Sequence, residues 1–168
     1  MARRGRITRP FTIREYQDSD EAQVVELVRE LQQHEAPLNQ WAKASEEIGP
    51  WYIEEVKKWC AKQEGIILVA EHEARLLGYA AVLCTCEEDG ADGDFAYLYA
   101  LVADLVVTES ARGEGIGKAL LEACERLARA KARPVLRIGV LSGNLGALDA
   151  YQKYGFTPYH LKLEKLLV

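Results

Sequence analysis

Arg112-Gly113-Glu114-Gly115-Ile116-Gly117 is the stretch that decides the fold. It joins an apolar run, Phe95 to Val107, to a segment with Ile116, Leu120, Ala123 and Leu127 at i, i+4, i+7 and i+11. The first reads as a strand and the second as an amphipathic helix. Glycines at 113, 115 and 117 let the backbone turn tightly and approach a ligand closely. The first turn of a helix offers unpaired N–H groups and the positive end of the macrodipole, which favour an anion. Arg112 adds a guanidinium able to fork onto two phosphate oxygens. The corner is expected to hold a phosphate; the plainer alternative is a glycine-rich turn leading into a helix.

Spelling excludes two common phosphate loops. A dinucleotide fingerprint starting at Gly113 needs glycine where Lys118 stands. A P-loop ending in Gly117-Lys118 needs glycine at Arg112 and a hydroxyl residue at Ala119.

Working outward, 168 residues suit one domain with a sizeable core. Met1 to Pro10 carries Arg3, Arg4, Arg6 and Arg9 and reads as a flexible basic arm, residues 1–10, ahead of a single domain over 11–168. No apolar signal core follows the arm, and no run is long enough to span a membrane. A net charge of −5 argues against nucleic acid as the main partner. Cys60, Cys84, Cys86 and Cys124 form no Cys-x-x-Cys pair, and His34, His72 and His160 are scattered, so no metal site is expected. Cys84 and Cys86 are expected on one strand face. Buried, reduced thiols fit a cytoplasmic protein.

The alternation in Phe11 to Tyr16 predicts a first strand. Asp18 and Glu21 read as a capping box for a helix whose stripe is Val24, Leu27, Val28 and Leu31. A second helix runs to Lys62 from either Ser45 or Pro50, and Pro50 suits a first helical turn. Ile66–Glu71 and Leu76–Cys86 read as a hairpin through Glu73-Ala74-Arg75. Phe95–Val107 is the fourth strand, and the phosphate-loop helix continues to about Lys131. Pro134–Val140 is the fifth strand. Asn144 can cap a helix from Leu145 to Tyr154 that Gly155 stops. Pro158–Val168 alternates and closes the chain as a sixth strand. The order β-α-α-β-β-β-α-β-α-β gives an α/β fold with one central mixed sheet flanked by helices.

Arg-x-x-Gly-x-Gly after a strand resembles the coenzyme A pyrophosphate loop of the GCN5-related N-acetyltransferases. A second signature, Asn144 through Ala147 and Tyr151 to Gly155-Phe156, matches that family's Asn-x-x-Ala-x-x-x-Tyr-x-x-x-Gly-Phe. The element order also resembles this fold along essentially the whole chain after Pro10. The resemblance implies an acetyl-CoA-dependent N-acetyltransferase acting on a primary amine. The alternatives are a non-catalytic acyl-CoA-binding regulatory module and an enzyme acetylating a protein amine. It also implies that the backbone of Gly113, Glu114, Gly115, Ile116 and Gly117, with Arg112 and Lys118, holds the pyrophosphate. In the family the fourth strand bulges and splays from the fifth, so Leu105, Val106 and Val107 would line the pantetheine arm. The amide of Val106 or Val107 would then face the thioester carbonyl. Homodimers are common in the family, and an apolar C-terminal strand is compatible with one.

Tyr151 occupies the position of a general acid for the departing thiolate. A phenol of ordinary pKa ~10 is protonated at neutral pH; packing at the rim is the other reading. Asn144 can cap its helix and touch the cofactor arm at once. Asp104 is the only charged residue between Phe95 and Val107. It either serves as base or cation anchor, or makes a structural hydrogen bond. The family often places a glutamate in this strand, and this chain has none there. Glu87, Glu88, Asp89, Asp92 and Asp94 form an acidic loop that either draws in a small cationic acceptor or is simply solvated. Tyr97 and Tyr99 either stack on the acceptor or pack.

Overall fold

The computed structural model describes residues 10–88 and 97–167. Five strands form one sheet in chain order: β1 (Thr12–Glu15), β2 (Ile66–His72), β3 (Arg75–Glu88), β4 (Tyr97–Val107) and β5 (Leu136–Ile138). The first three pairings are antiparallel, and β4 runs parallel to β5. Helices α1 (Glu21–Glu35) and α2 (Pro50–Lys62) cover one face, whose core includes Val24, Val28, Ile53, Val56, Val69 and Tyr79. Helix α3 (Ile116–Ala130) covers the other, over Ala80, Val82, Ala100 and Val102. Helix α4 (Leu145–Tyr154) packs beside α3 through Tyr151 and Tyr154. The basic arm, Pro10 apart, and the acidic loop from Asp89 to Asp94 lie outside the described residues. Among the described residues no helix is long and apolar enough to cross a membrane.

The mixed sheet between helical layers is the expected fold, with informative departures. Asp18 does not cap α1; it accepts Lys57 Nζ at 2.9 Å. The chain first makes a 3-10 turn over Asp18–Asp20, and the capping box falls one residue earlier than expected, between Gln17 and Asp20 of that turn. Asp20 Oδ2 accepts the Gln17 N–H at 2.8 Å, and its two oxygens take the Arg14 fork at 2.7 and 2.9 Å. Pro50 begins α2, and Ser45–Glu47 is a separate 3-10 turn.

Bulges set the side-chain phase of the two central strands. On β4, Asp104 pairs with Ala81 and Val102 with Val82, which leaves Ala103 as an extra residue. Upstream, Ala100 and Val102 face α3; downstream, Leu105 and Val107 do. Ala103 and Val106 face α1 and α2. On β3 a second irregularity falls between Leu83 and Cys86. It breaks the expected parity of the two thiols: Cys84 joins the α3 side and Cys86 the α1–α2 side, because a bulge spends a residue without advancing the pairing. All four cysteines are free and buried. Burial pushes Cys60 up to about 11 and Cys124 up to about 12, so both are protonated thiols at neutral pH.

The closing strand is not formed among the described residues. Thr157 to Leu167 carries no ladder and is exposed throughout. Alternation marks a segment able to pair but names no partner. Here the tail leaves the sheet edge, and Glu164 accepts from Trp41 Nε1 at 3.3 Å and Gln40 Nε2 at 3.4 Å.

Candidate active site

The ladder between β4 and β5 ends at Val102 paired with Ile138. Beyond it the two strands part, and a cleft of about 1280 Å³ opens. Leu105, Val106 and Val107 form one wall, with Gly139 and Val140 across the gap. The end of α1, the start of α3 and helix α4 close the remaining sides.

The glycine corner forms one end. Gly113 (φ 76°) and Gly115 (φ 90°) take left-handed backbone, which side chains with a Cβ adopt at a cost. Gly115 precedes α3 and no side chain caps the helix. The first intrahelical bond runs from Ala119 N–H to the Gly115 carbonyl at 3.0 Å. The amides of Ile116, Gly117 and Lys118 thus precede the ladder, at the positive end of the helix. This uncapped turn fits an anionic diphosphate. Arg112 Nε donates to the Val107 carbonyl at 3.1 Å, and its Nη2 lies 3.7 Å from Glu30. The guanidinium is held against the strand end, beside the cleft. Lys118 borders the cleft 3.6 Å from Glu122.

The other signature meets this corner across the cleft. Asn144 caps α4, its Oδ1 accepting the Ala147 N–H at 3.1 Å, and it also lines the cleft. Tyr151 lines the same wall and sets its ring edge-on to Phe156, with centroids 6.1 Å apart. Burial, with a smaller push from the Glu35 charge, raises its phenol to about 12.

Of the residues singled out in sequence, Leu105, Val106, Val107, Arg112, Gly113, Gly115, Ile116, Gly117, Lys118, Asn144 and Tyr151 border this one cleft. Glu114 and Asp104 do not. Asp104 is partly buried against the α1–α2 layer, where Tyr79 Oη donates to Oδ2 at 2.8 Å and Tyr52 Oη reaches both oxygens at 3.1 Å. Burial raises its carboxyl above the ordinary value, against the two phenols, which lower it. Tyr97 and Tyr99 point to Arg137 instead of the cleft: Tyr97 Oη accepts from Arg137 Nη2 at 2.6 Å, and the guanidinium lies 4.2 Å from the Tyr99 ring centre.

Sequence reasoning missed the α1 side of the cleft, formed by Leu31, His34, Glu35 and Leu38. Glu35 ends a plain polar run, Gln32-Gln33-His34-Glu35, and no motif marks it. Burial raises its carboxyl, and the Asp104 charge raises it further. Among the described residues no grouping of His, Cys, Asp and Glu could hold a metal ion.

No curated protein matches the chain in sequence. Among solved structures, a variant of the BH1408 protein from Bacillus halodurans shares the fold with a TM-score of 0.82 at 19% identity, over 94% of this chain and 99% of that one. Aminoglycoside N-acetyltransferase AAC(6')-Iy in complex with CoA gives 0.66 at 13% identity, over 94% and 100%. Glucosamine-6-phosphate N-acetyltransferase from Arabidopsis thaliana gives 0.63 at 18% identity, over 95% and 99%. At these identities the likeness is one of fold. The model of the acetyltransferase (GNAT) family matches residues 26–156, from the middle of α1 through both signatures to Phe156, and the chain belongs to that family.

Proposed function

We propose that the protein transfers an acetyl group from acetyl-CoA to a primary amine of a small cationic molecule. The observation that carries this reading is the meeting of three features in one cleft: an uncapped α3 N-terminus behind left-handed glycines, the gap between β4 and β5, and Tyr151 with Asn144 opposite. When bound, acetyl-CoA supplies an activated acyl group as a thioester. In this reading the amides after Gly115 and the Arg112 guanidinium hold the diphosphate by charge-assisted hydrogen bonds. The Val106 or Val107 amide faces the thioester carbonyl and stabilises negative charge on its oxygen. Leu105 and Val107 give the arm apolar contact. Tyr151, protonated at neutral pH, donates to the departing sulfur. Asn144 holds α4 in place and offers its amide to the arm.

The test is a panel of amines with acetyl-CoA, read by free-thiol release and by mass gain of the acceptor. Turnover with one amine class supports the proposal. Acetyl-CoA binding with no thiol release for any amine identifies a regulatory binding module instead.

A further inference from the structure

We propose that Glu35, at the C-terminal end of α1, accepts the proton of the incoming ammonium, and that Asp104 acts on it from behind the cleft wall as a positioning residue. The inference rests on the acetyl-transfer reading above and assigns that site its missing base.

Three carboxylates border the cleft: Glu35, Glu122 and Glu125. Glu122 lies 3.6 Å from Lys118. Glu125 accepts from Arg129 Nη2 at 2.6 Å and from Tyr154 Oη at 2.7 Å. The Glu35 carboxylate alone of the three makes no hydrogen bond or ion pair among the described residues. It stands on the α1 wall of the same cleft that Tyr151 lines. A half-buried carboxylate without a partner pays for its desolvation unless a cation completes it. The ammonium of the acceptor is such a cation.

Asp104 is a poor proton acceptor by geometry. Its oxygens are occupied by Tyr52 and Tyr79, and it does not reach the cleft. It lies two residues before the cleft-lining Val106 on the same face of β4, and its negative charge acts on Glu35. The bulge at Ala103 is what brings it to that face. The titratable groups whose electrostatics involve Glu35 are His34 on α1, Asp104 on β4, Tyr52 on α2, Tyr79 on β3 and Tyr151 on α4. His34 lowers the Glu35 carboxyl, and Asp104 raises it by more. A like charge makes the carboxylate a stronger base.

The steps balance without a further reactant. One ammonium proton passes to Glu35 and from there to solvent. The freed lone pair forms the C–N bond, and the C–S bond breaks. The sulfur takes the Tyr151 proton, and the second proton of the nitrogen restores the phenol.

The experiment titrates Glu35 in the free protein by carboxyl-13C NMR, with Glu35→Gln assigning the signal and Asp104→Asn removing its charged neighbour. Rates are followed with spermidine and neamine as acceptors. The Glu35 titration is expected above the ordinary glutamate value and is expected to move down in Asp104→Asn. Glu35→Gln should lower kcat/KM by about 100-fold or more and abolish the acidic limb of the pH–rate profile. Its acetyl-CoA Kd should stay within about twofold, a margin well under the tenfold per 1.4 kcal/mol of a lost contact. Asp104→Asn should shift that limb to lower pH. Glu35 has no partner to lose, so Glu35→Gln tests the chemistry without disturbing the fold. Wild-type turnover with an unchanged limb in Glu35→Gln overturns this inference alone. Wild-type acetyl-CoA binding without thiol release for any amine overturns the transfer reading, and this inference with it.

Discussion

Gly115→Ala separates the backbone's part in coenzyme binding from its part in folding. Gly115 sits at φ 90°, ψ 0°, and a Cβ built there meets nothing within 4 Å. No clash opposes the new methyl, so the cost is the left-handed conformation itself, about 1–2 kcal/mol. Alanine recovers about 0.4–1 kcal/mol by restricting the unfolded chain. The net loss is about 1 kcal/mol, which for a domain of this size is a fall of about 2–4 °C in Tm. The loop also has a cheaper exit, to rotate out of the left-handed region. That rotation turns the amides of Ile116, Gly117 and Lys118 away from their common aim. Coenzyme A binding is then expected to weaken by about tenfold, or about 1.4 kcal/mol. At a ligand concentration of 100 Kd the wild-type protein gains about 2.7 kcal/mol on binding, and the variant would gain about half of that. Calorimetric titration with coenzyme A and paired thermal melts with and without it measure both quantities. A Gly115→Ala protein that melts lower and binds coenzyme A within twofold of wild type would refute the reasoning. The corner would then be a turn and nothing more.

Three further outcomes are expected. Tyr151→Phe should lower kcat by about 100-fold with acetyl-CoA affinity retained; because burial pushes the phenol up to about 12, the wild-type profile should show no alkaline limb from this group across pH 7–10, and steady-state pH profiles of both proteins check this. Asp20→Asn removes a buried acceptor of the Arg14 fork and should cost about 2 kcal/mol at pH 7, less than a fully sealed pair because the Arg14 side chain is 29% exposed. The Asp20 carboxyl lies below its ordinary value in the folded protein, chiefly through Arg14, so its contribution is present above about pH 4 and lost as pH falls through the lower folded value; the gap between wild-type and variant urea midpoints should close on acidification. Ala132→Gly, at φ 54° on the exposed turn after α3, should raise stability by up to about 1 kcal/mol with no effect on coenzyme A binding, by the conformational argument applied to Gly115 in reverse; a lower melting temperature would count against it.

What could be read in the sequence was local. The α3 stripe, the glycines ahead of it and the Asn144–Phe156 signature each declare their geometry over a short span, and Ile116, the glycines, Asn144 and Tyr151 border one cleft. Asp104 stood out as a lone charge in an apolar strand, but its partners come from Tyr52 on another layer and Tyr79 on the next strand. No spacing rule connects them. Glu35 carried no signal because a carboxylate in a polar helix end is ordinary until the fold lays it beside a cleft. The parity of Cys84 and Cys86 failed for a different reason: alternation counts residues, whereas a ladder counts pairs, and a bulge makes the two disagree. Pro158–Val168 has a strand's alternation, but a strand needs a neighbour, and the tail bonds to Trp41 and Gln40 instead.

The spare residue at Ala103 works as a phase shifter for β4. Had the pleat run uninterrupted from Tyr97, either Asp104 or the upstream side chains would stand in the wrong hydrophobic layer. Flattening the strand with Ala103 kept would therefore turn the carboxylate toward α3 or the apolar row of β4 toward α2, whereas excising that alanine would restore plain alternation with both rows facing as they do now. One unpaired residue thus reverses the parity of the strand halfway along, and with it the layer into which each later side chain points.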